Sequence, residues 1–94
     1  MSTQEDAARL AANSDAVVKH LKAELDCDVP VREIPGQGVR FFPDGFGRLL
    51  IIYELLWDVP EPQRLVGRID AQVLQRLRKG QSVQMTSTGT TFAP

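Results

Sequence analysis

The chain of 94 residues contains one cysteine and one histidine, and it lacks the apolar run of about 18 residues that a membrane-spanning helix needs. A single cysteine cannot form an internal disulfide framework. The polar and acidic beginning, Met-Ser-Thr-Gln-Glu-Asp, lacks the apolar segment of a secretory signal peptide. We therefore expect no membrane association, and the cytoplasm is the expected compartment.

Residue patterns typical of catalysis or metal binding are also missing. His20 precedes Glu24 by one helical turn and Cys27 by seven residues. No third orienting group and no oxyanion site accompany this pair, and the paired Cys or His spacing of zinc sites is absent. A weak surface cation at Asp26 and Asp28 is the alternative that stays open. We predict no enzyme, no catalytic residue, no cofactor and no bound metal, and no small-molecule substrate is evident.

Glycine occurs in one pair that resembles part of a phosphate-binding loop, Gly36-Gln37-Gly38. Such a loop requires a helix directly after it, with the N-terminus facing the anion. The residues that follow, 39–42, favour a strand instead. The glycine pair is therefore interpreted as a turn.

Charge is balanced overall but unevenly distributed. Apolar residues make up 43% and charged residues 24%, as in an ordinary globular protein, and the length allows one domain. The net charge of −1 divides into −3 for residues 1–33, −2 for residues 34–63 and +4 for residues 64–94. Opposite ends of this kind could steer head-to-tail self-association, or they could neutralise each other within one fold.

The basic C-terminal third does not have the composition of a nucleic-acid-binding region. Its five bases are Arg64, Arg68, Arg76, Arg78 and Lys79. No aromatic residue alternates with them to stack on bases, and the whole chain is slightly acidic. The pattern favours a solvated helix face and argues against nucleic-acid binding.

The first third predicts a helix. Ser2 to Glu5 fits a capping box, and Val18, Leu21 and Leu25 recur at helical spacing. Asn13-Ser14-Asp15 interrupts the pattern and offers a second start. The favoured prediction is a stable helix over 14–25 with residues 1–12 as a flexible arm.

Three strands are predicted next. Residues 29–34 form a short strand in which Pro30 suits a sheet edge, and residues 39–42 form another. Leu49 to Trp57 is apolar on both alternating faces, which predicts a central strand. Because a small antiparallel sheet usually exposes one face, we expect a helix or another subunit to cover the second face.

The chain after Pro62 has two interpretations. Residues 64–77 could form one long strand, or a strand over 64–69 could precede a helix over 70–79. The helix is favoured, with Asp70 as its N-cap and Gly80 just after its end. A last strand would cover 81–88 and a mobile tail 89–94. The predicted fold is α+β, an N-terminal helix packed on a small, mainly antiparallel sheet within a single domain 1–94.

Five of the six aromatic residues lie between positions 41 and 57, and most are expected in the core. Trp57, near Pro60, is a candidate interface anchor because tryptophan is enriched at interface hot spots. The complete set of interface candidates is Trp57, Tyr53, Arg76, Arg78 and Lys79.

Four segments together resemble a known family. They are Asp15–Leu25, Val29–Pro35, Phe42–Gly45 and Gly47–Glu54. Gln63–Arg78 could continue the match as a further strand, to cover about residues 14–78, but a helix over 70–79 would end the match at Arg68. In this order they resemble the front half of Mu-like phage tail terminator proteins. This chain is shorter and lacks the later helix and strands of that family. The resemblance implies a non-enzymatic virion component that forms a ring at the end of the tail tube, with no catalytic residues.

Two functions follow as expectations. The first is a structural, self-associating phage or prophage protein, cytoplasmic or in the virion. The second is a small protein-binding module that inhibits or regulates a partner protein, of anti-defence or antitoxin type. Either one acts through contact with itself or with another protein.

Overall fold

The computed structural model describes residues 3–93, which form helices packed against a five-stranded sheet. The helices are α1 (Thr3–Leu25), α2 (Tyr53–Asp58), α3 (Pro62–Gly67) and α4 (Ala71–Arg78). The strands are β1 (Val31–Ile34), β2 (Gly38–Phe41), β3 (Arg48–Ile52), β4 (Ser82–Thr86) and β5 (Gly89–Ala93). The fold is α+β, as predicted.

The sheet has the order β1-β2-β3-β4-β5 and is mainly antiparallel. The central pair, β3 with β4, is parallel. A parallel pair needs a crossover connection, because the chain must return to the end at which the first strand began. Residues 53–81, which contain α2, α3 and α4, make that connection.

The two faces of the sheet differ in composition. On the face that packs against the helices, which we call the core face, six side chains are buried: Val39, Phe41, Leu49, Ile51, Val83 and Met85. They join one hydrophobic cluster with buried residues from all four helices. On the other face, which we call the open face, Leu50 is buried but does not belong to that cluster. The cluster between the core face and the helices is the hydrophobic core of the described chain.

Helix α1 is continuous from Thr3, so the prediction of a stable helix beginning at residue 14 was wrong. The buried stripe that includes Leu21 and Leu25 is confirmed. Asn13 extends this stripe toward the N-terminus, because every fourth residue from it is buried: Asn13, Val17, Leu21 and Leu25. The Asn13 amide does not interrupt the helix. Its Nδ2 donates to the carbonyl oxygens of Leu56 (2.8 Å) and Val59 (3.1 Å) and so ties α1 to the end of α2. The capping box predicted at Ser2 lies outside the described residues.

The predicted central strand is only half strand. β3 ends at Ile52, and the chain turns directly into α2, whose first N–H, that of Tyr53, donates to the carbonyl oxygen of Gln37 (3.1 Å). Leu55 and Leu56 are buried in the core as adjacent residues of a helix. The apolar run is therefore divided between a strand and a helix: Leu55 and Leu56 pack in the core from α2, while Leu50 of β3 is buried on the open face.

The segment after residue 61 is helical as well, so both strand interpretations of residues 64–69 were wrong. Pro62 occupies the first turn of α3, where its missing N–H costs nothing, and Leu65 is buried. The predicted helix over 70–79 is confirmed as α4. The Asp70 side chain accepts from the Val73 N–H (3.0 Å), and Gly80 has a φ of 80°, as an αL residue after a helix does.

The end of the described chain is a hairpin. The predicted last strand is confirmed as β4, but the mobile tail over 89–94 was wrong for residues 89–93, which pair with β4 as β5. Pro94 lies outside the described residues. The short strand with Pro30 beside it is confirmed as the edge strand β1.

Gly47 lies where two segments approach too closely for a side chain. It is buried, its N–H donates to the carbonyl oxygen of Leu77 (2.8 Å), and a Cβ there would collide with the carbonyl oxygen of Gln81. This contact joins the start of β3 to the end of the crossover, so the parallel pairing of β3 with β4 depends on it.

We expect Gly47→Ala to lower the free energy of unfolding by about 1–3 kcal/mol or more, because the added Cβ must push backbone apart. Gly67→Ala is the matched control, since a Cβ at Gly67 meets no atom within 4 Å. That control is expected to be neutral or mildly stabilising. Urea unfolding followed by the fluorescence of Trp57 measures both. Equal stability of the two variants would contradict the close approach.

Candidate functional site: the surfaces of the sheet

The residues considered for catalysis are not joined by the fold. His20 is half-buried on α1 with no hydrogen-bond partner for its buried Nε2, and no hydrogen bond links it to Glu24 or Cys27 within residues 3–93. In the same part of the chain, no three His, Cys, Asp or Glu side chains are grouped closely enough to hold a metal ion. Asp26 and Asp28 line a shallow depression together with Asp44, Cys27 and Lys22.

The aromatic interface candidates lie side by side on α2. The rings of Tyr53 and Trp57 stack with centroids 5.0 Å apart and planes at 11°. Trp57 is 36% exposed, and its carbonyl oxygen accepts from Arg9 Nη1 (3.2 Å). The Tyr53 hydroxyl donates to Glu33 Oε1 on β1 (3.3 Å). The stack is therefore held at the β1 side of the molecule.

Val31 is a further exposed apolar residue on the β1 side. It lies two residues from Glu33 on the same face of the strand and is 44% exposed. Val31 and Trp57 are the exposed large hydrophobic residues among residues 3–93. We call Val31, Tyr53 and Trp57 the β1-side patch. Its members come from two elements, so the sequence indicated only the α2 half of it.

Two of the three basic interface candidates on α4 have contacts inside the fold. The Arg76 guanidinium lies 4.9 Å from the ring centroid of Phe92 on β5, and its Nη1 donates to Gln81 Oε1 (3.1 Å). Arg78 Nη2 donates to the carbonyl oxygen of Glu24 near the end of α1 (3.2 Å). Lys79 is the exposed C-cap of the helix. Arg76 and Arg78 thus connect α4 to its neighbours.

The sheet has two edges of different chemistry, since β1 and β5 each pair with one neighbouring strand among the described residues. β1 has four residues, carries Arg32 and Glu33, and lies between Pro30 and Pro35. Natural sheets protect their edges with such charges and prolines. β5 reads Gly-Thr-Thr-Phe-Ala and carries no charge. Pro94 follows it directly, so β5 differs from β1 chiefly in its lack of charge.

The open face carries three arginines that the sequence analysis did not single out. They are Arg32 on β1, Arg40 on β2 and Arg48 on β3. In the register of the sheet, Arg32 is directly opposite Arg40, and the row continues through Leu50, Gln84 and Thr91. The alternation of side chains along each strand places each arginine on one face of its own strand. Only the pairing register shows that the three arginines share a face.

Glu33 also affects the ionisation of Tyr53. Burial of the phenol, together with the charge of the Glu33 carboxylate and its hydrogen bond, raises the pKa of Tyr53 above its ordinary value of 10.0. The neutral hydroxyl, which is the form that donates to Glu33, is therefore favoured in the folded protein.

Comparison of the chain with protein-family models, curated proteins and solved structures finds no match. No helix within residues 3–93 has the length and apolarity required to span a membrane. Function is therefore inferred from the geometry of these surfaces.

Tyr53 is the only tyrosine, so its titration can be followed by absorbance without interference. We expect a pKa above 10.0 in the folded protein and a lower value in Glu33→Gln, with Glu54→Gln on the same helix as the matched control. Because the folded pKa is raised, this contribution to stability is complete below pH 10 and is lost as the pH rises through the folded value. A Glu33→Gln titration that coincides with the wild type would show that the carboxylate has no influence.

Proposed function

We propose that this protein is a non-enzymatic, self-associating structural protein whose copies pair through β5. The observation that carries the proposal is the contrast between the two sheet edges. β1 carries two charges and has a proline at each end, features that prevent edge-to-edge pairing, whereas β5 carries no charge and is followed by a proline only at its C-terminal end. An uncharged, fully extended edge with unpaired N–H and C=O groups is a template for another strand.

The sequence of β5 is compatible with a second copy of itself. In an antiparallel pair, residues opposite each other point to the same face, so a two-fold axis brings a residue opposite its own equivalent. With the axis at Thr91, the two Thr91 side chains meet, and Thr90 lies opposite Phe92 of the second copy. Threonine pairs and pairs of aromatic with β-branched residues are favourable across strands.

The same operation on β1 is unfavourable. An axis at Arg32 sets that residue against Arg32 of the second copy, and an axis at Glu33 sets two carboxylates together. Like charges directly opposite each other destabilise strand pairing. Of the two edges, β5 is therefore the one that accepts a second copy.

A contact between two β5 strands is isologous and closes at two copies. The ring implied by the resemblance to phage tail terminators needs a further contact, for which the β1-side patch is the candidate surface. Residues 71–78 form α4, so the resemblance ends at Arg68. The part that remains supports an assembly role in a virion, and a dimer joined through β5 would be the unit of that assembly.

The mass in solution tests this proposal. Size-exclusion chromatography with light scattering over a range of concentrations is expected to give at least twice the chain mass of 10.4 kDa. Thr91→Lys places like charges at the two-fold axis, and we expect it to weaken association at least tenfold. Thr88→Lys, in the β4–β5 turn, is the matched control with the same change of charge. A wild type that stays monomeric at every concentration overturns the proposal.

The β1-side patch favours a second candidate function, a protein-binding module that regulates a partner. Val31 and Trp57 expose apolar surface beside a strand edge, and apolar anchors of this kind are common in interfaces. Trp57→Ala distinguishes the two functions. Pairing through β5 is expected to survive this change, since Trp57 lies at the opposite side of the sheet. If Trp57→Ala abolished the dimer and Thr91→Lys retained it, the self-association surface would be the β1-side patch and not β5.

A further inference from the structure

The open face contains a concave site between two of its arginines. Arg40 and Arg48 form one wall, and the opposite side includes Ser82, Gln84 and Thr91. Its volume is about 170 Å³, compared with roughly 30 Å³ for one water molecule in the liquid. The site therefore has room for a small oxyanion together with bound water.

The charge of this site is not neutralised within the fold. Neither Arg32 nor Arg40 forms an ion pair or a side-chain hydrogen bond in the described part of the chain, and Arg48 forms no ion pair there. No acidic residue occupies an open-face position of any of the five strands. Arg32 and Arg40 are also opposite each other, an arrangement that costs stability in the absence of an anion.

The groups around the site are suited to an oxyanion. A guanidinium presents its N–H donors in a planar fork that matches a carboxylate or a phosphate. The side chains of Ser82 and Gln84 add further hydrogen-bond donors, whereas the Thr91 hydroxyl donates to the Gln84 carbonyl oxygen (3.5 Å). Leu50, which lies between Arg40 and Gln84 in the register, is only 7% exposed and provides an apolar floor. Lower local dielectric strengthens the attraction of an anion bound above it.

Arg48 is exposed and lies near one aromatic ring. Its guanidinium carbon lies 6.0 Å from the ring centroid of Phe42, at the limit of a cation–π contact. Arg40 is half-buried. Half-burial restricts the rotamers of Arg40 before any ligand arrives, so binding there costs less entropy than it would at a free surface arginine.

We propose that the open face binds an oxyanion between Arg40 and Arg48, and that its source is the carboxylate of an acidic segment of a partner protein. Free phosphate could bind the same arginines through the same hydrogen bonds, so the acidic peptide and phosphate are tested separately. A nucleic-acid strand is disfavoured, because the chain as a whole is slightly acidic, with a net charge of −1. This site does not depend on self-association through β5.

Nuclear magnetic resonance on the ¹⁵N-labelled full chain can test the proposal at the arginine side chains. A capped hexaglutamate peptide and inorganic phosphate are titrated separately, each at an ionic strength held constant with sodium chloride. We expect saturable shifts of the Arg40 and Arg48 Nε–H signals with the peptide. Saturation with phosphate alone would overturn the acidic segment as the source, and no saturable shift with either probe would overturn the site.

Two variants distinguish binding at this site from non-specific attraction to positive charge. Arg40→Gln is expected to weaken peptide binding at least tenfold, while Arg64→Gln, the same change on α3, is expected to leave it within twofold. Arg40→Gln should also keep or raise the melting temperature in dilute buffer, because it removes the like-charge pair with Arg32. A clear fall in melting temperature would show that Arg40 serves the fold instead, and an equal loss of binding in both variants would show only non-specific attraction.

Discussion

The parallel pairing of β3 with β4 is the constraint on which the rest of the structure depends. Because parallel neighbours cannot be joined by a tight turn, residues 53–81 must leave the sheet and return to its other end. They do so as three short helices, and α1 packs beside them through the stripe that ends at Leu25. The close contact of Gly47 with residues 77 and 81 fixes the point at which the crossover returns.

That crossover decides which surfaces are available for binding. All four helices contribute to one cluster on the core face, so the other face of a five-stranded sheet stays open. Neither edge strand is covered within residues 3–93. The molecule thus has two contrasting edges and one broad face on which arginine is the charged residue, and its proposed functions use these surfaces rather than an enclosed pocket.

The two proposals are geometrically compatible. A two-fold axis through β5 stands perpendicular to the sheet, so the open faces of both copies lie on the same side of a continuous ten-stranded sheet. The two arginine sites then flank the seam, because Thr91 belongs both to β5 and to the wall of the site. A partner with acidic segments could contact both copies at once, and avidity would exceed the affinity of either site.

Much of the fold could be predicted from local signals. The capping residues Asp70 and Gly80 identified α4, the spacing of Leu21 and Leu25 identified the buried stripe of α1, and Pro30 indicated an edge strand. The same kind of reasoning failed where a local signal had two physical solutions. An apolar run such as 49–57 can be a strand buried on both faces or a strand that turns into a buried helix, and periodicity does not distinguish them.

The sequence by itself determined the α+β class, the end signals of α4 and the apolar stripe of α1, because these depend on neighbours three or four residues apart. Only the tertiary structure decided the rest. Asn13 is buried and connects α1 to the end of α2, because its amide donates to carbonyl oxygens 43 and 46 residues away. Arg32, Arg40 and Arg48 became one surface because strand register, a long-range property, aligned them on the face that the crossover leaves open.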